Sequence, residues 1–142
     1  MVCSHGGHLT EMMQIEEAIK GHELFFITYI SSRTRELNRA YLIERFTAKP
    51  WKIPLSTIRI FRILGKEKPK AMISTGAEIA IPCFLIAKIL GIKTIYIETC
   101  ARVRTPSGTG RLIYWISDYF FVQWRGLLRF FGNKARYEGG LL

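Results

Sequence analysis

Three times along this chain a short apolar run breaks into a polar turn that opens a helix-like segment. Met1-Val2-Cys3 runs into Ser4-His5-Gly6-Gly7-His8, AMIST at 71–75 runs into Gly76, and IKTIYI at 92–97 runs into Glu98 and a loop to Gly110. The apolar runs are short, and LFFITYI at 24–30 does not alternate, as expected of strands buried on both faces. Strands that alternate with helices imply a parallel sheet covered by helices. The pattern predicts strands over 1–3, 24–30, 71–75, 92–97 and 119–123, with a further short strand near the end. It predicts helices over 9–20, 56–64, 77–90, 111–117 and 125–131. Thr10 is a candidate cap for the first helix and Gly21 its stop. Ser56 or Thr57 is a candidate cap for the second, after a linker bracketed by Pro50 and Pro54. Residues 31–50 are polar and basic, and a short helix over 34–46 is the expectation there. The fold class is therefore α/β, a Rossmann-like open parallel sheet with helices on both faces, in a single domain over 1–142.

Charge narrows the ligands. The formal net charge is +10, and the excess is concentrated in residues 31–70, with eleven Lys/Arg against three Glu. Such a field attracts anions: nucleic acid, an anionic membrane surface or a phosphate-bearing ligand. No nucleic-acid-binding motif accompanies it. Cys3, Cys83 and Cys100 form no CxxC pair and no metal-ligand spacing, which reads as free thiols in a reducing compartment, two of them buried. The opening residues do not read as a secretory signal. The longest apolar stretch, 79–92, is interrupted by Pro82 and Lys88 and is too short to span a bilayer.

Ligands of open α/β sheets bind beyond the carboxyl ends of the strands, and three polar segments fall there. In Ser4–His8 the glycines let backbone approach a ligand, and the helix start offers free N–H groups to a diphosphate or a sugar hydroxyl. The segment is neither GxGxxG nor a P-loop. The plain alternative is a tight turn with capping side chains. His5 and His8 are candidates for a base or for hydrogen-bond donors. They lack a third ligand at a useful distance, so no metal is expected, and Glu11 is merely the nearest acid. Ser74-Thr75-Gly76-Ala77-Glu78 offers a second helix start, or an ordinary cap with Glu78 at the positive end of the dipole. Glu98 can bind a sugar hydroxyl or accept a proton, or else pair with Arg102 and pin the loop. Arg102 and Arg104 suit phosphate. Trp124, after Gln123 at a strand end, faces a groove or a partner.

Taken together, SHGGHLTEM at 4–12, ISTGAEIAIP at 73–82, YIETCARVRTPSGTG at 96–110 and DYFFVQW at 118–124 resemble the Alg14 family and its PssD/EpsE-type relatives in polysaccharide synthesis. The likeness covers nearly the whole chain and is weakest over 31–70. It implies the N-terminal, acceptor-side domain of a GT-B glycosyltransferase such as MurG. It also implies a separate Alg13- or PssE-like partner subunit that supplies most of the contacts to a UDP-sugar, UDP-GlcNAc or UDP-glucose. The acceptor would be a lipid-diphosphate-linked sugar, held at the cytoplasmic face of a membrane by a peripheral protein. Mapped onto this sequence, the family's glycine loop is Ser4, Gly6, Gly7 and His8. Its strand-end pair is Thr75 and Gly76. Its loop is Glu98, Ala101 and Arg102, then Ser107, Thr109 and Gly110, with Arg104 between. His8 and Glu98 are the candidates for catalytic base or acceptor positioning, and neither cofactor nor metal is implied. The family's eukaryotic members carry an N-terminal membrane anchor, and this sequence begins almost at the glycine loop, leaving a very short first strand.

Three other readings remain open. A non-catalytic scaffolding or activating subunit differs in that changing His8 or Glu98 would leave activity intact. A self-sufficient small transferase would need no partner. A nucleic-acid-binding module would show tight, salt-sensitive binding.

Overall fold

The computed structural model describes residues 1–45 and 50–141. In chain order the strands are β1 (Val2–Cys3), β2 (Phe26–Tyr29), β3 (Ala40–Ile43), β4 (Ala71–Ser74), β5 (Lys93–Ile97), β6 (Tyr119–Val122) and β7 (Ala135–Tyr137). The helices are α1 (Gly7–Ala18), α2 (Ile53–Glu67), α3 (Ala80–Ile89) and α4 (Gly108–Ile116). Every strand pairing is parallel, in the order β3-β2-β1-β4-β5-β6-β7. All strand ends that lead into helices therefore share one rim. Two-residue β1 is the hinge of the sheet: Val2 pairs with Ile27 on one side and Ser74 on the other. The chain leaves β1 towards β3, then returns to β4 on β1's other flank, which makes a topological switch point beside β1.

Two apolar clusters hold the layers. One gathers Ile60, Ile63 and Leu64 of α2, Cys83, Phe84 and Ala87 of α3, and Ile113 and Tyr114 of α4 with the strands. The other packs Leu9, Met12 and Ile15 of α1 against Met1, Cys3 and Phe26. Helices thus cover both faces, as the pattern predicts. Cys3 and Cys83 are buried free thiols and Cys100 is half-buried. No helix among the described residues is long and apolar enough to cross a membrane.

Several local expectations are corrected. The first helix starts at Gly7, and its cap is Gly6, whose side is bare; the Thr10 hydroxyl instead donates back to the Gly6 carbonyl at 3.3 Å. The helix expected over 34–46 is replaced by a 3-10 turn at Arg33–Glu36 and the edge strand β3, while 46 lies outside the described residues. Parallel pairing of 40–43 with β2 overrides the surrounding charge. The linker and second helix merge: α2 begins at Ile53, with Pro54 in its first turn, where a missing N–H costs nothing. Lys52 takes the N-cap position, and the Thr57 hydroxyl donates to the Ile53 carbonyl instead of capping. The segment expected as a helix over 125–131 is a 3-10 helix, Arg125–Phe130.

Candidate functional site

The switch point is closed by a reciprocal clasp. His8, in the first turn of α1, places Nδ1 2.9 Å from the Thr75 carbonyl, and the Thr75 hydroxyl donates to the His8 carbonyl at 2.8 Å. A carbonyl only accepts, so Nδ1 carries the proton and, in the neutral ring, Nε2 keeps its lone pair. The ring is half-buried at the rim. Gly76 follows at φ +119°, and a Cβ there would sit 2.9 Å from His8 Cε1 and 3.2 Å from the Tyr96 hydroxyl. Ala77 also takes positive φ, +72°, an uncommon conformation for alanine that marks strain beside the imidazole. Gly6 needs its glycine for φ +85°, and nothing lies within 4 Å of a Cβ built on Gly6 or Gly7, so the approach to the start of α1 is open. The first turn of α1 contains no acidic residue of its own.

A second constellation stands beyond β5. Glu98 is fully buried. One oxygen accepts from the Thr99 N–H at 3.1 Å; the other accepts from both the N–H and the hydroxyl of Ser107, at 3.1 and 3.0 Å. Ser107 in turn caps α4 by accepting from the Gly110 N–H at 2.8 Å. A Cβ on Gly110 would fall 2.0 Å from the Glu98 carboxylate, so only glycine lets α4 approach this closely. Burial raises the Glu98 carboxyl above its ordinary range, opposed by the Ser107 and Thr99 donors. In place of the Glu98–Arg102 pair offered as the alternative role, these donors hold the carboxylate to the loop, and Arg102 and Arg104 are exposed.

A third element escaped sequence reasoning. Glu11 of α1 is buried. It accepts from the Thr99 hydroxyl at 2.7 Å, the Cys100 N–H at 3.1 Å and the Gln123 amide at 3.2 Å. The same Gln123 amide donates to the Glu98 carbonyl at 3.1 Å, and its oxygen accepts from the Leu141 N–H at 2.7 Å. The available signal was helical spacing: Glu11 lies four residues before Ile15 and next to Met12, on the edge of the buried stripe, where a solvated acid is out of place. Trp124 stands at the rim, 43% exposed, with its indole N–H donated to the Cys100 carbonyl at 2.7 Å.

The structure thus brings His8, Thr75 and Gly76 together, and separately Glu98, Ser107 and Gly110. Ser4 is half-buried and gives its hydroxyl to the His5 carbonyl; His5 is exposed; Thr109 is half-buried. Among the described residues no three His, Cys, Asp or Glu side chains gather as metal ligands. A hollow of about 420 Å³ lies elsewhere, between the second half of α1 and the turn at 20–24, bounded by Met13, Glu16, Lys20 and His22.

This all-parallel sheet covered by helices defines a Rossmann-like α/β domain with the GT-B type of fold. A crystal structure of MurG from Acinetobacter baumannii superimposes with a TM-score of 0.81 at 18% identity, over 98% of this chain and 45% of that one. The chain belongs to the Alg14 family: the model for "Oligosaccharide biosynthesis protein Alg14 like" matches residues 32–141. The glycine loop precedes the matched range. The UDP-N-acetylglucosamine transferase subunit ALG14 of Rattus norvegicus is 36% identical over 98 residues, 65% of this chain and 43% of that protein. Its Saccharomyces cerevisiae counterpart is 39% identical over 59 residues, 41% of this chain and 25% of that protein. A UDP-N-acetylglucosamine--N-acetylmuramyl-(pentapeptide) pyrophosphoryl-undecaprenol N-acetylglucosamine transferase from Oceanobacillus iheyensis is 27% identical over 117 residues, 82% of this chain and 32% of that protein. The matched part of this chain corresponds to less than half the length of each of these relatives. Its family is one of UDP-N-acetylglucosamine transferase subunits.

Proposed function

We propose that this chain is the acceptor-side half of a two-component glycosyltransferase. It binds a lipid-diphosphate-linked sugar on its rim and meets an Alg13/PssE-like partner subunit that holds a UDP-sugar, UDP-GlcNAc or UDP-glucose. The observation that carries this reading is the His8 clasp: a tautomer fixed by Thr75 leaves Nε2 as a proton acceptor in the first turn of α1, at the strand-end rim. The open start of α1 and the exposed Arg102 and Arg104 suit a diphosphate. Nε2 would take the proton of the acceptor hydroxyl as that oxygen attacks the anomeric carbon of the donor and UDP departs. Glu98 is fully buried with both oxygens engaged, which favours His8 as the base and leaves Glu98 to shape the loop.

A peripheral membrane position at the cytoplasmic face belongs to the same proposal. The packed helices α2, α3 and α4 leave large apolar side chains outward: Leu55, Ile58 and Phe61, Leu85 and Ile89, Leu112 and Trp115. Exposed Arg59, Arg62, Lys88 and Arg111 stand among them. Apolar side chains interspersed with cations suit an anionic bilayer surface.

The test is co-expression with the candidate partner, followed by transfer assays from UDP-GlcNAc and UDP-glucose to a lipid-diphosphate acceptor beside each subunit alone. Activity in the mixture only is the expected result. Activity of this chain alone would overturn the half-enzyme reading. A stable, active complex indifferent to the loss of His8 and Glu98 would instead support a scaffolding subunit.

A further inference from the structure

We propose that Glu11 is a positioning residue, which fixes the loop carrying Arg102 and Arg104 relative to the turn carrying His8. Its bearing on catalysis rests on the function proposed above. Glu11 sits one helical turn beyond the Ser4–His8 loop, on the helix that His8 opens, and its carboxylate reaches across to the strand ends of β5 and β6. All three of its partners are donors: the Thr99 hydroxyl, the Cys100 N–H and the Gln123 amide. Gln123 cannot turn its amide over to suit a neutral neighbour, because its nitrogen also serves the Glu98 carbonyl and its oxygen the Leu141 N–H. The position therefore calls for two acceptor oxygens, which a carboxylate has and a carboxamide lacks. A buried carboxylate is expensive unless its lone pairs are met, and here they are met by the first residues of the loop. Among the described residues no Lys or Arg nitrogen approaches within 4 Å of it. Its contacts are thus spent on the loop, not on a salt bridge. The carboxylate joins α1 to loop 99–107 and, through Gln123, to the Glu98 side of that loop. Trp124 is tied into the same segment by its bond to the Cys100 carbonyl.

The test compares amide hydrogen exchange in the wild-type chain and in Glu11→Gln, Thr99→Val and Thr99→Ser. Glu11→Gln sets an N–H against the Gln123 N–H, and exchange across 99–107 should quicken by roughly tenfold or more. The amides of β4, β5 and β6 should keep their protection. Thr99→Val, which removes one donor and leaves Glu11 in place, should loosen the same segment, and Thr99→Ser should restore it. Should Glu11→Gln fail to fold, the Thr99 pair makes the same comparison. Unchanged exchange in 99–107, or strands that lose protection in step with the loop, would overturn the proposal, the second by reducing Glu11 to ordinary core stability. In the active complex, KM for the lipid-diphosphate acceptor should rise about tenfold in Glu11→Gln with kcat and the donor KM nearly unchanged. A fall in kcat alone would also count against positioning. If the wild-type complex transfers no sugar, the function proposed above fails while the exchange comparison still decides the role of Glu11.

Discussion

Ser107 gives both its backbone N–H and its hydroxyl to the same carboxylate oxygen of Glu98, at 3.1 and 3.0 Å. That double donation ties the end of the loop to the end of β5 and sets where α4 begins. It works only because Gly110, one turn into α4, has no side chain to contest the space. Gly110→Ala should therefore destabilise the fold by about 1–3 kcal/mol, the range of an overpacked core position. Gly108→Ala is the matched control: its Cβ would meet nothing within 4 Å, and it should leave the melting temperature close to wild type. Thermal unfolding of the two variants checks this, and equal effects would mean that the Glu98 interlock does not limit this helix.

The clasp between His8 and Thr75 separates geometry from proton transfer. His8→Asn can keep a donor near the Thr75 carbonyl while deleting Nε2. It should leave complex formation intact and lower kcat by about 10²–10⁴-fold, the usual worth of a general base. Gly76→Ala attacks the same spot from the other side, since its Cβ would press on His8 Cε1 at 2.9 Å and φ is already +119°. It should lower both stability and activity. Steady-state kinetics and pull-down of the partner distinguish the two outcomes. An active His8→Asn complex would remove His8 as the base.

How much of this was legible in the sequence depends on which interactions are local. The polar strand ends announced themselves, because strand, glycine and helix start are contiguous in Ser4–His8 and Thr75–Gly76. Edge strand β3 did not: AYLI is flanked by Arg39 and Glu44–Arg45, and only pairing with β2 makes it a strand. Helical spacing places Glu11 at the edge of the buried stripe, but its partners lie 88 to 112 residues away, where no spacing rule reaches. Glu98 was recognised as important, yet its burial and the ownership of its oxygens by Ser107 and Thr99 are properties of the folded loop. The likeness to a glycosyltransferase domain rested on several motifs at once and carried the fold class more firmly than any single residue's role.

The outward apolar side chains of α2 and α4 predict selective lipid binding. Trp115 is 80% exposed and Leu55 69%. In flotation with vesicles, the chain should associate with anionic bilayers more than with neutral ones and should be released as salt rises, because the cationic contribution is screened. Leu55→Glu with Trp115→Glu should reduce association about tenfold or more by replacing apolar contact with charge, without loss of folding, since both positions face outward. Arg59→Ala with Arg62→Ala should weaken binding to anionic vesicles only. Equal binding by all variants would place the membrane contact elsewhere.

At the opposite end of the sheet from the rim, Asp118 should govern stability in acid. Its carboxylate accepts from Lys88 Nζ at 2.7 Å and from the Thr94 N–H and hydroxyl at 2.8 and 3.0 Å. The Lys88 bond, helped by Thr94, holds its pKa down at about 2, against an ordinary 3.8. A group whose folded pKa is depressed stabilises the native state above its unfolded pKa and loses that contribution as pH falls through the folded value. The Asp118 contribution should therefore be complete at neutral pH and fade between about 4 and 2. Glu98 has the opposite sign, since its raised carboxyl favours the native state at low pH and costs stability as pH rises above the ordinary Glu range. Asp118→Asn retains an acceptor for Thr94 but loses the charge, and should cost about 1 kcal/mol at pH 7. Urea unfolding followed from pH 7 to pH 2 should show the variant and wild type converging in the acid. Parallel curves throughout that range would mean that the acid limb is set by other carboxylates.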